Sequence, residues 1–407
     1  MGELPAEWKT ARISSLYVPR NEKVSADDYP ALSVTMQGIV PQLETAAKTQ
    51  DTDNRKLVKE GDFVINSRSD RRGSCGIAHQ DGSVSLISNV LNPINSDVMD
   101  PAFFEYLFKT EGFADEYYKW GTGIVDDLWS TNWSRMKNIV VAFPSHEDQK
   151  RIAEYLDTRT SEIDLLIEQT EHSIELLEEY RKSVISEVVT KGLDPDVPMK
   201  DSGIEWIGVV PEHWGVKKFK YLAAVKANLV HPEDYPDLPQ VSPDRILKDT
   251  GELLECQNVL ESGVDSDNHL FREGQLLYSK VRPALNKVTI APFDGLCSAD
   301  MYPIETSEDP QWLKFSMLSQ SFVTQVRVST DRVKMPKVNK EELSSFNLPV
   351  PPKPEQERIA GYLNAATLSI NAFINNEIAL IDKLREYRKS LISEAVTGKF
   401  VVPGVEW

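Results

Sequence analysis

The chain contains, at residues 149–190, the stretch QKRIAEYLDTRTSEIDLLIEQTEHSIELLEEYRKSVISEVVT, and it repeats this stretch without gaps at residues 356–397. The two copies are identical at 21 of 42 positions, which indicates an internal duplication. In each copy apolar residues recur at alternating steps of four and three, the spacing of a coiled-coil helix. The sequence therefore predicts two long helices that can pack against each other.

The apolar stripe of each helix gives a set of predicted packing residues. Residues 147–187 carry 12 acidic and 5 basic side chains, as expected for a helix with one face in water. The alternative interpretation is that these are core helices of two globular domains, but the stripe lasts for about four heptads. The predicted packing residues are Ile163, Ile167, Ile174, Leu177 and Val184 in the first helix, and Ile370, Ile374, Ile381, Leu384 and Leu391 in the second.

A weaker repeat precedes each helix. The motif Pro-x-x-Trp occurs at residues 5–8 and again at 211–214, and Glu60-Gly61 recurs as Glu273-Gly274. The intervening apolar runs are short and bounded by Gly, Pro and Asn, which is typical of strands and turns. The predicted fold class is α+β, with two mixed α/β domains in tandem repeat, separated by two long helices that form an antiparallel coiled coil.

The repeat also predicts domain boundaries. A Gly-Ile-Glu-Trp segment precedes the second Pro-x-x-Trp motif at residues 203–206, and Gly-Val-Glu-Trp ends the chain at 404–407. We therefore expect the chain end to complete the framework of the first domain. The predicted segments are a first mixed domain at 1–145, a central long helix at 146–192, a second mixed domain at 193–352, a distal long helix at 353–400 and a C-terminal tail at 401–407.

The distribution of charge points to two basic loops in an acidic chain. The net charge is −18, whereas proteins that bind DNA through electrostatics alone are usually basic. Basic residues nevertheless follow the Glu-Gly turn in both repeats, and local basic loops can contact phosphates and guanines. A solvated loop is an equally common role for such residues, but the recurrence favours binding. The candidate DNA contacts are Arg68, Arg71, Arg72, Lys280, Arg282, Lys334 and Lys337.

Several chemistries lack their motifs. The chain has no P-loop motif, no CxxC, no metal-ligand spacing among its six histidines, and no Asn/Asp-Pro-Pro-aromatic motif of a DNA amino-methyltransferase. Asp148-Gln149-Lys150 resembles part of a nuclease motif, but acidic residues are also favoured at a helix start. We predict no catalytic residue, no metal site and no cofactor bound by this chain. Without an apolar run of 18 residues or a signal segment, we expect the chain in the cytoplasm.

Taken together, these motifs resemble those of the specificity (S) subunit of type I restriction-modification systems, the HsdS family. The resemblance covers essentially the whole chain and rests on the two Gln-x-Arg-Ile-Ala-x-Tyr-Leu helix starts and the two Tyr-Arg-Lys-Ser helix ends. It implies two target recognition domains, each reading one half of a split, asymmetric site in double-stranded DNA. It also implies partners: modification subunits, expected to number two, that bind S-adenosylmethionine and methylate adenine, and restriction subunits that use ATP and Mg²⁺.

Two other functions stay open at this point. The chain could be a structural coiled-coil interaction protein without sequence-specific DNA binding, which would form oligomers. It could also be a restriction-modification enzyme with its own active site, although the motifs named above are missing. Sequence-dependent DNA recognition separates the first alternative from the specificity subunit, and methyl transfer by the purified chain alone would support the second.

Overall fold

The computed structural model describes residues 4–42, 54–68, 71–123, 129–330 and 336–405. Contacts within the chain divide it into two units. Unit 1 comprises Met1–Thr170 and Ala379–Trp407, and unit 2 comprises Glu171–Ile378. The division passes through both long helices, so that each unit holds one mixed domain together with part of each helix. Among the described residues, no helix has both the length and the apolar character that crossing a membrane requires.

The mixed domain of unit 1 is built on a four-stranded antiparallel sheet. Its strand order is β2-β10-β7-β8, beside a three-stranded sheet β3-β6-β9, a hairpin β4-β5 and the pair β1-β11. The strands are β1 Lys9–Arg12, β2 Tyr17–Pro19, β3 Lys23–Val24, β4 Leu32–Thr35, β5 Gly38–Pro41, β6 Arg55–Val58, β7 Phe63–Asn66, β8 Cys75–Ile77, β9 Gly82–Val84, β10 Ser88–Pro93 and β11 Val140–Phe143. The helices are α1 Ile13–Leu16, α2 Pro101–Phe108, α3 Glu111–Lys119 and α4 Trp133–Met136.

An aromatic core joins this sheet to the helices. The ring of Phe63 on β7 lies 4.2 Å from that of Phe108 on α2, and Phe108 lies 4.6 Å from Phe113 on α3, measured between ring centroids. Helix α2 begins where Asp100 accepts a hydrogen bond from the Phe103 N–H and Pro101 occupies the first turn. Proline has no N–H to leave unpaired there, which is why it suits a helix start.

Unit 2 repeats the four-stranded sheet with the order β15-β22-β19-β20. A second sheet, β16-β18-β21-β17, contains one parallel pair, β17 with β21. After α5, His146–Lys191, the strands are β12 Met199–Asp201, β13 Val209–Pro211, β14 Gly215–Lys218, β15 Ala223–Val225, β16 Leu229–Val230, β17 Gln240–Val241, β18 Asn268–Phe271, β19 Leu276–Ser279, β20 Val288–Ile290, β21 Gly295–Ser298, β22 Met301–Thr306 and β23 Asn347–Val350. The helices are α6 Val259–Ser262, α7 Pro310–Leu318, α8 Gln320–Thr330, α9 Lys340–Ser345 and α10 Lys353–Val396.

A buried glutamine ties the start of each long helix to its mixed domain. In unit 1 the Gln149 side chain accepts from the Asp100 N–H and donates to the carbonyl oxygens of Val98 and Pro144, at 2.8 to 3.1 Å. Gln356, at the start of α10, accepts from the Asp309 N–H at 3.0 Å in the same manner. Both glutamines are 0% exposed. The repeated Gln of the helix motif is therefore a structural hydrogen-bonding residue, because buried backbone groups need partners.

Parts of the two long helices pack antiparallel within each unit. In unit 1 the early residues of α5, including Ile152 and Leu156, share a core with Leu391 and Val396 near the end of α10. In unit 2 the late residues of α5 share a core with the early residues of α10. The apolar stripe runs along both helices, with polar interruptions such as Arg181 on α5 and Arg388 on α10.

The C-terminal segment completes the core of unit 1. Val402 and Val405 are buried beside Trp8 in that core, and the Gly404 carbonyl oxygen accepts a hydrogen bond from Arg151 at 2.8 Å. These contacts agree with the expectation that the chain end completes the first framework. Residues 406–407 of the predicted segment lie outside the described residues.

Candidate nucleic-acid interface

Two basic loops follow an inner strand of the equivalent sheets. The first basic loop, residues 67–73, follows β7 and is described except for residues 69–70. The second basic loop, residues 280–286, follows β19. Five of the seven predicted DNA contacts lie in these two loops. The structure thus places Arg68, Arg71 and Arg72 together in unit 1, and Lys280 and Arg282 together in unit 2.

The same backbone hydrogen bond closes each loop. In unit 1 the N–H of Thr131 donates to the carbonyl oxygen of Ser67 at 2.9 Å. In unit 2 the N–H of Val338 donates to the carbonyl oxygen of Lys280 at 3.0 Å. Each closing segment, residues 130–131 in unit 1 and 337–338 in unit 2, therefore meets its loop at the same step after the strand. The two loops are structurally equivalent in this respect.

Hydrogen bonds also fix the closing segments to the domain cores. The carbonyl oxygen of Thr131 accepts from Asn89 at 2.8 Å and from the Tyr117 hydroxyl at 2.9 Å. In unit 2 the Tyr302 hydroxyl donates to the Val338 carbonyl oxygen at 3.3 Å. A loop held in this way loses little conformational entropy on binding, which favours affinity.

Side chains at equivalent positions of the two loops differ in chemistry. Isolated β-bridges join Arg68 to Ser130 in unit 1 and Val281 to Lys337 in unit 2. An arginine in one loop thus takes the place of a valine in the other, and a serine in one closing segment takes the place of a lysine. The two loops therefore share a backbone arrangement but carry different hydrogen-bond donors on their side chains.

In the first basic loop the three arginines are exposed but have different surroundings. Arg72 forms an ion pair with Asp115, and its guanidinium lies 6.0 Å above the Tyr118 ring. The Tyr118 hydroxyl donates to the Arg71 carbonyl oxygen at 3.1 Å. Arg68 forms no ion pair with another described residue. Its guanidinium is consequently better placed than that of Arg72 to meet an incoming acceptor, since the charge of Arg72 is already balanced.

One cation of the second basic loop contacts an aromatic ring, and one cation of its closing segment contacts a carboxylate. The Lys280 ammonium lies 5.2 Å from the centroid of the Tyr302 ring, and Lys337 of the closing segment lies 3.2 Å from an Asp300 carboxylate oxygen. Burial lowers the pKa of the nearby His269, and the positive charges of Lys280 and Lys340 lower it further. Lys280 and Lys340 therefore lie close enough to His269 to affect its pKa. The remaining candidate, Lys334, lies outside the described residues.

Two residues of the second basic loop adopt a backbone conformation that is rare outside glycine. Arg282 has φ +45° and Asn286 has φ +42°. The buried Asn286 side chain donates to the Leu318 carbonyl oxygen at 3.2 Å, and the Lys287 ammonium to that of Pro243 at 2.7 Å. Left-handed conformations persist only where surrounding contacts hold them. These contacts hold the loop from which the exposed Arg282 side chain extends.

Sequence reasoning missed the residues that balance and hold these loops. Asp115 and Asp300 pair with predicted cations, and Asn286 fixes the second loop. Asp115 is 43 positions from Arg72, and Asp300 is 37 positions from Lys337. No periodicity or motif links residues so far apart, so the sequence offered no signal for them.

The predicted packing residues of the helices lie on their inner faces. Ile163, Ile370, Ile374, Ile381 and Leu391 are buried, whereas Ile167, Ile174, Leu177, Val184 and Leu384 are half-buried. The described residues hold no group of three side chains suited to a metal ion.

Comparison with known proteins agrees with this geometry. A sequence model of the family described as "Type I restriction modification DNA specificity domain" matches residues 6–176 and again 211–381. The type I restriction enzyme EcoDI specificity subunit of Escherichia coli is 29% identical over 98% of this chain and 90% of its own length. The putative type I restriction enzyme MjaX specificity subunit of Methanocaldococcus jannaschii is 22% identical over 99% and 96%.

Solved structures share the fold. A chain from a study of complex assembly and conformational transition of the type I R-M system has a TM-score of 0.74 at 13% identity, covering 98% of this chain and 100% of that one. The HsdS subunit of Thermoanaerobacter tengcongensis has a TM-score of 0.57 at 15% identity, covering 98% of both.

These matches confirm the predicted family, the fold class of two tandem mixed domains with long helices, and the function of a DNA specificity subunit. They disfavour the structural coiled-coil alternative. The chain belongs to the family of type I restriction-modification DNA specificity domains, of which it carries two copies.

Proposed function

We propose that this chain reads a split DNA site, with the first basic loop contacting one half and the second basic loop contacting the other. The observation that carries the proposal is the pair of equivalent backbone hydrogen bonds, Thr131 to Ser67 and Val338 to Lys280, which hold loops of different side chains. Two asymmetric half-sites require different donor and acceptor patterns on one kind of scaffold. Arg68 in place of Val281 is such a difference.

We further propose that the long helices act as the spacer between the two half-sites. Helix α5 has 46 residues and α10 has 44. At 1.5 Å per residue the first is roughly 69 Å long. Rigid elements between two DNA readers convert protein length into a required number of base pairs, as in dimeric repressors.

Two modification subunits are proposed as partners, one on the helices of each unit. Unit 1 exposes Leu166 on α5 and Tyr387 on α10, at 49% and 56%. Unit 2 exposes the corresponding residues of the other helices, Phe373 and Tyr180, at 59% and 60%. Exposed apolar residues on paired helices are typical of surfaces that accept further helices. Recurrence of these exposed residues at equivalent positions of the repeat supports two copies of one partner.

Catalysis in this proposal belongs to the partner subunits. S-adenosylmethionine would be bound by the modification subunits, and ATP and Mg²⁺ by restriction subunits, with the whole complex in the cytoplasm where its DNA lies. Methylation of adenine inside duplex DNA requires that the base leaves the stack. The specificity chain would contribute the register of the complex on the DNA.

The proposed function is tested by genome-wide adenine methylation in a host that carries the neighbouring modification subunit, with and without this chain. We expect a split motif with one fixed gap that is absent without the chain. Activity of the modification subunit is confirmed first on a known specificity subunit. No chain-dependent motif beside an active modification subunit would contradict the proposal.

A further inference from the structure

An arginine interrupts the apolar stripe of each long helix. Arg181 on α5 and Arg388 on α10 occupy equivalent places, 207 positions apart. Arg181 is only 5% exposed, and Arg388 is half-buried. Burial of the Arg181 guanidinium carries a desolvation cost that a suitably placed acceptor partly offsets.

Each arginine meets an acceptor on the other long helix within its own unit. In unit 2 the Arg181 Nη1 donates to Asn371 Oδ1 at 2.7 Å. In unit 1 the Arg388 Nε and Nη2 lie 2.9 Å and 3.1 Å from the two carboxylate oxygens of Asp164. Asp164 and Asn371 are themselves equivalent positions of the repeat, again 207 apart. The two polar contacts therefore occupy equivalent positions in the two repeats.

The apolar residues of the stripe do not select a register with the same strictness. Leucine and isoleucine side chains pack acceptably after a slip of one helical turn, because another apolar side chain then takes each place. A slip would instead strand a buried guanidinium without its acceptor. Single polar residues at such positions are the best attested means of fixing register in coiled coils.

We infer that the contacts Arg181–Asn371 and Arg388–Asp164 lock α5 and α10 in one antiparallel register, and that these four are positioning residues for the gap between the half-sites. The part that concerns the gap rests on the proposed function. A slip of one turn moves one helix about 5.4 Å along the other. DNA rises about 3.4 Å per base pair. We therefore expect a slipped register to change the gap by about one or two base pairs.

The register itself is measured on the purified chain with spin labels. Exposed Glu168 on α5 and Asp382 on α10, both in unit 1, are replaced by cysteine and labelled, and the half-buried Cys256 is replaced by serine. The labelled chain in which both arginine contacts are intact should give a single distance between the two spin labels. The variant Arg388→Leu with Asp164→Leu, alone or combined with Arg181→Leu and Asn371→Leu, should add a second resolved distance. The same single distance in all these chains would overturn the inference.

The chain itself offers the matched control. Asn371 already serves as the acceptor in unit 2, so Asp164→Asn should keep one distance, whereas Asp164→Leu alone should not. Should the fourfold leucine variant fail to fold, as circular dichroism would show, the Asp164 pair still decides the matter. Equal behaviour of Asp164→Asn and Asp164→Leu would count against the register role.

The gap is measured in the methylation experiment on the same variants. Wild type and Asp164→Asn should give one gap between the half-sites. The variants with leucine in place of these arginines and their acceptors should give a second gap or a range of gaps. A single unchanged gap in these leucine variants would refute the link between helix register and the gap. If wild type yields no split motif, the proposed function fails, while the spin-label distances still judge the register.

Discussion

At the scale of single residues, the repeated motif combines structural and binding roles that look alike in the sequence. Gln149 and Gln356 stand in the most strongly repeated stretch, yet both are buried and bond only to their own domains. The exposed cations lie in loops that share little sequence. The repeated residues therefore belong to the scaffold, whereas the loops that we propose contact DNA differ in sequence.

Replacing Gln149 by alanine should destabilise unit 1. It would leave the Asp100 N–H and the Val98 and Pro144 carbonyl oxygens without their partner, and each buried unpaired group costs about 1–3 kcal/mol. We expect the free energy of unfolding to fall by about 2–4 kcal/mol, measured by calorimetry. Gln169→Ala, at an exposed position of the same helix, should change it by no more than about 0.5 kcal/mol. Equal losses for the two variants would contradict the role of Gln149.

Arg282 separates the contribution of a side chain to DNA binding from that of its backbone conformation. Its φ of +45° suits glycine better than any other residue. Arg282→Gly should leave stability unchanged or slightly higher, while Arg282→Ala should not raise it. Both should weaken binding of the target duplex by the assembled complex about tenfold. Fluorescence anisotropy checks this, and unchanged affinity in both variants would remove Arg282 from the interface.

At the scale of elements, the long helices were predictable and the meeting of the loops was not. The helices can be predicted from the local recurrence of apolar residues, because residues three and four apart share one face of a helix. The contact between Thr131 and Ser67 joins residues 64 positions apart, and it depends on the complete fold. The packing of the chain end in unit 1 was partly predictable from the sequence, because the segment that contains Gly404 and Val405 resembles residues 203–206.

The C-terminal segment should stabilise unit 1 through its buried side chains. Val402 is 0% exposed, whereas its neighbour Val401 is 54% exposed. Val402→Asp should lower the free energy of unfolding of unit 1 by about 3 kcal/mol, because it buries an unpaired carboxylate. Val401→Asp is the matched control and should be nearly neutral. Comparable melting temperatures of the two variants would show that the segment does not contribute to the core.

At the scale of the whole molecule, a net charge of −18 has to be reconciled with DNA recognition. The basic loops are local, and cations in or beside them already pair with carboxylates: Arg72 with Asp115, and Lys337 of the second closing segment with Asp300. The net charge alone therefore does not indicate DNA as a partner, and the proposed DNA contacts rest on the position of the basic residues within the repeat. The surrounding acidic surface should repel the phosphate backbone outside the loops.

The isolated chain should accordingly bind its DNA target weakly. We expect affinity at physiological salt to appear only once the modification subunits are added, because non-specific affinity depends on phosphates neutralised by the protein. Titrations of a labelled duplex with the chain alone and with the assembled complex check this. Tight, sequence-specific binding by the chain alone would contradict it.

The central claim, that each unit reads its own half of the site, is tested most directly by comparing the methylated motifs of Arg68→Ala and Arg282→Ala with that of the wild type. Genome-wide adenine methylation gives the tolerated bases at every position of the motif. We predict that each substitution relaxes positions in one half only, that the two halves differ, and that the gap stays the same. Relaxation of the same half by both variants, or even relaxation across both halves, would contradict the account.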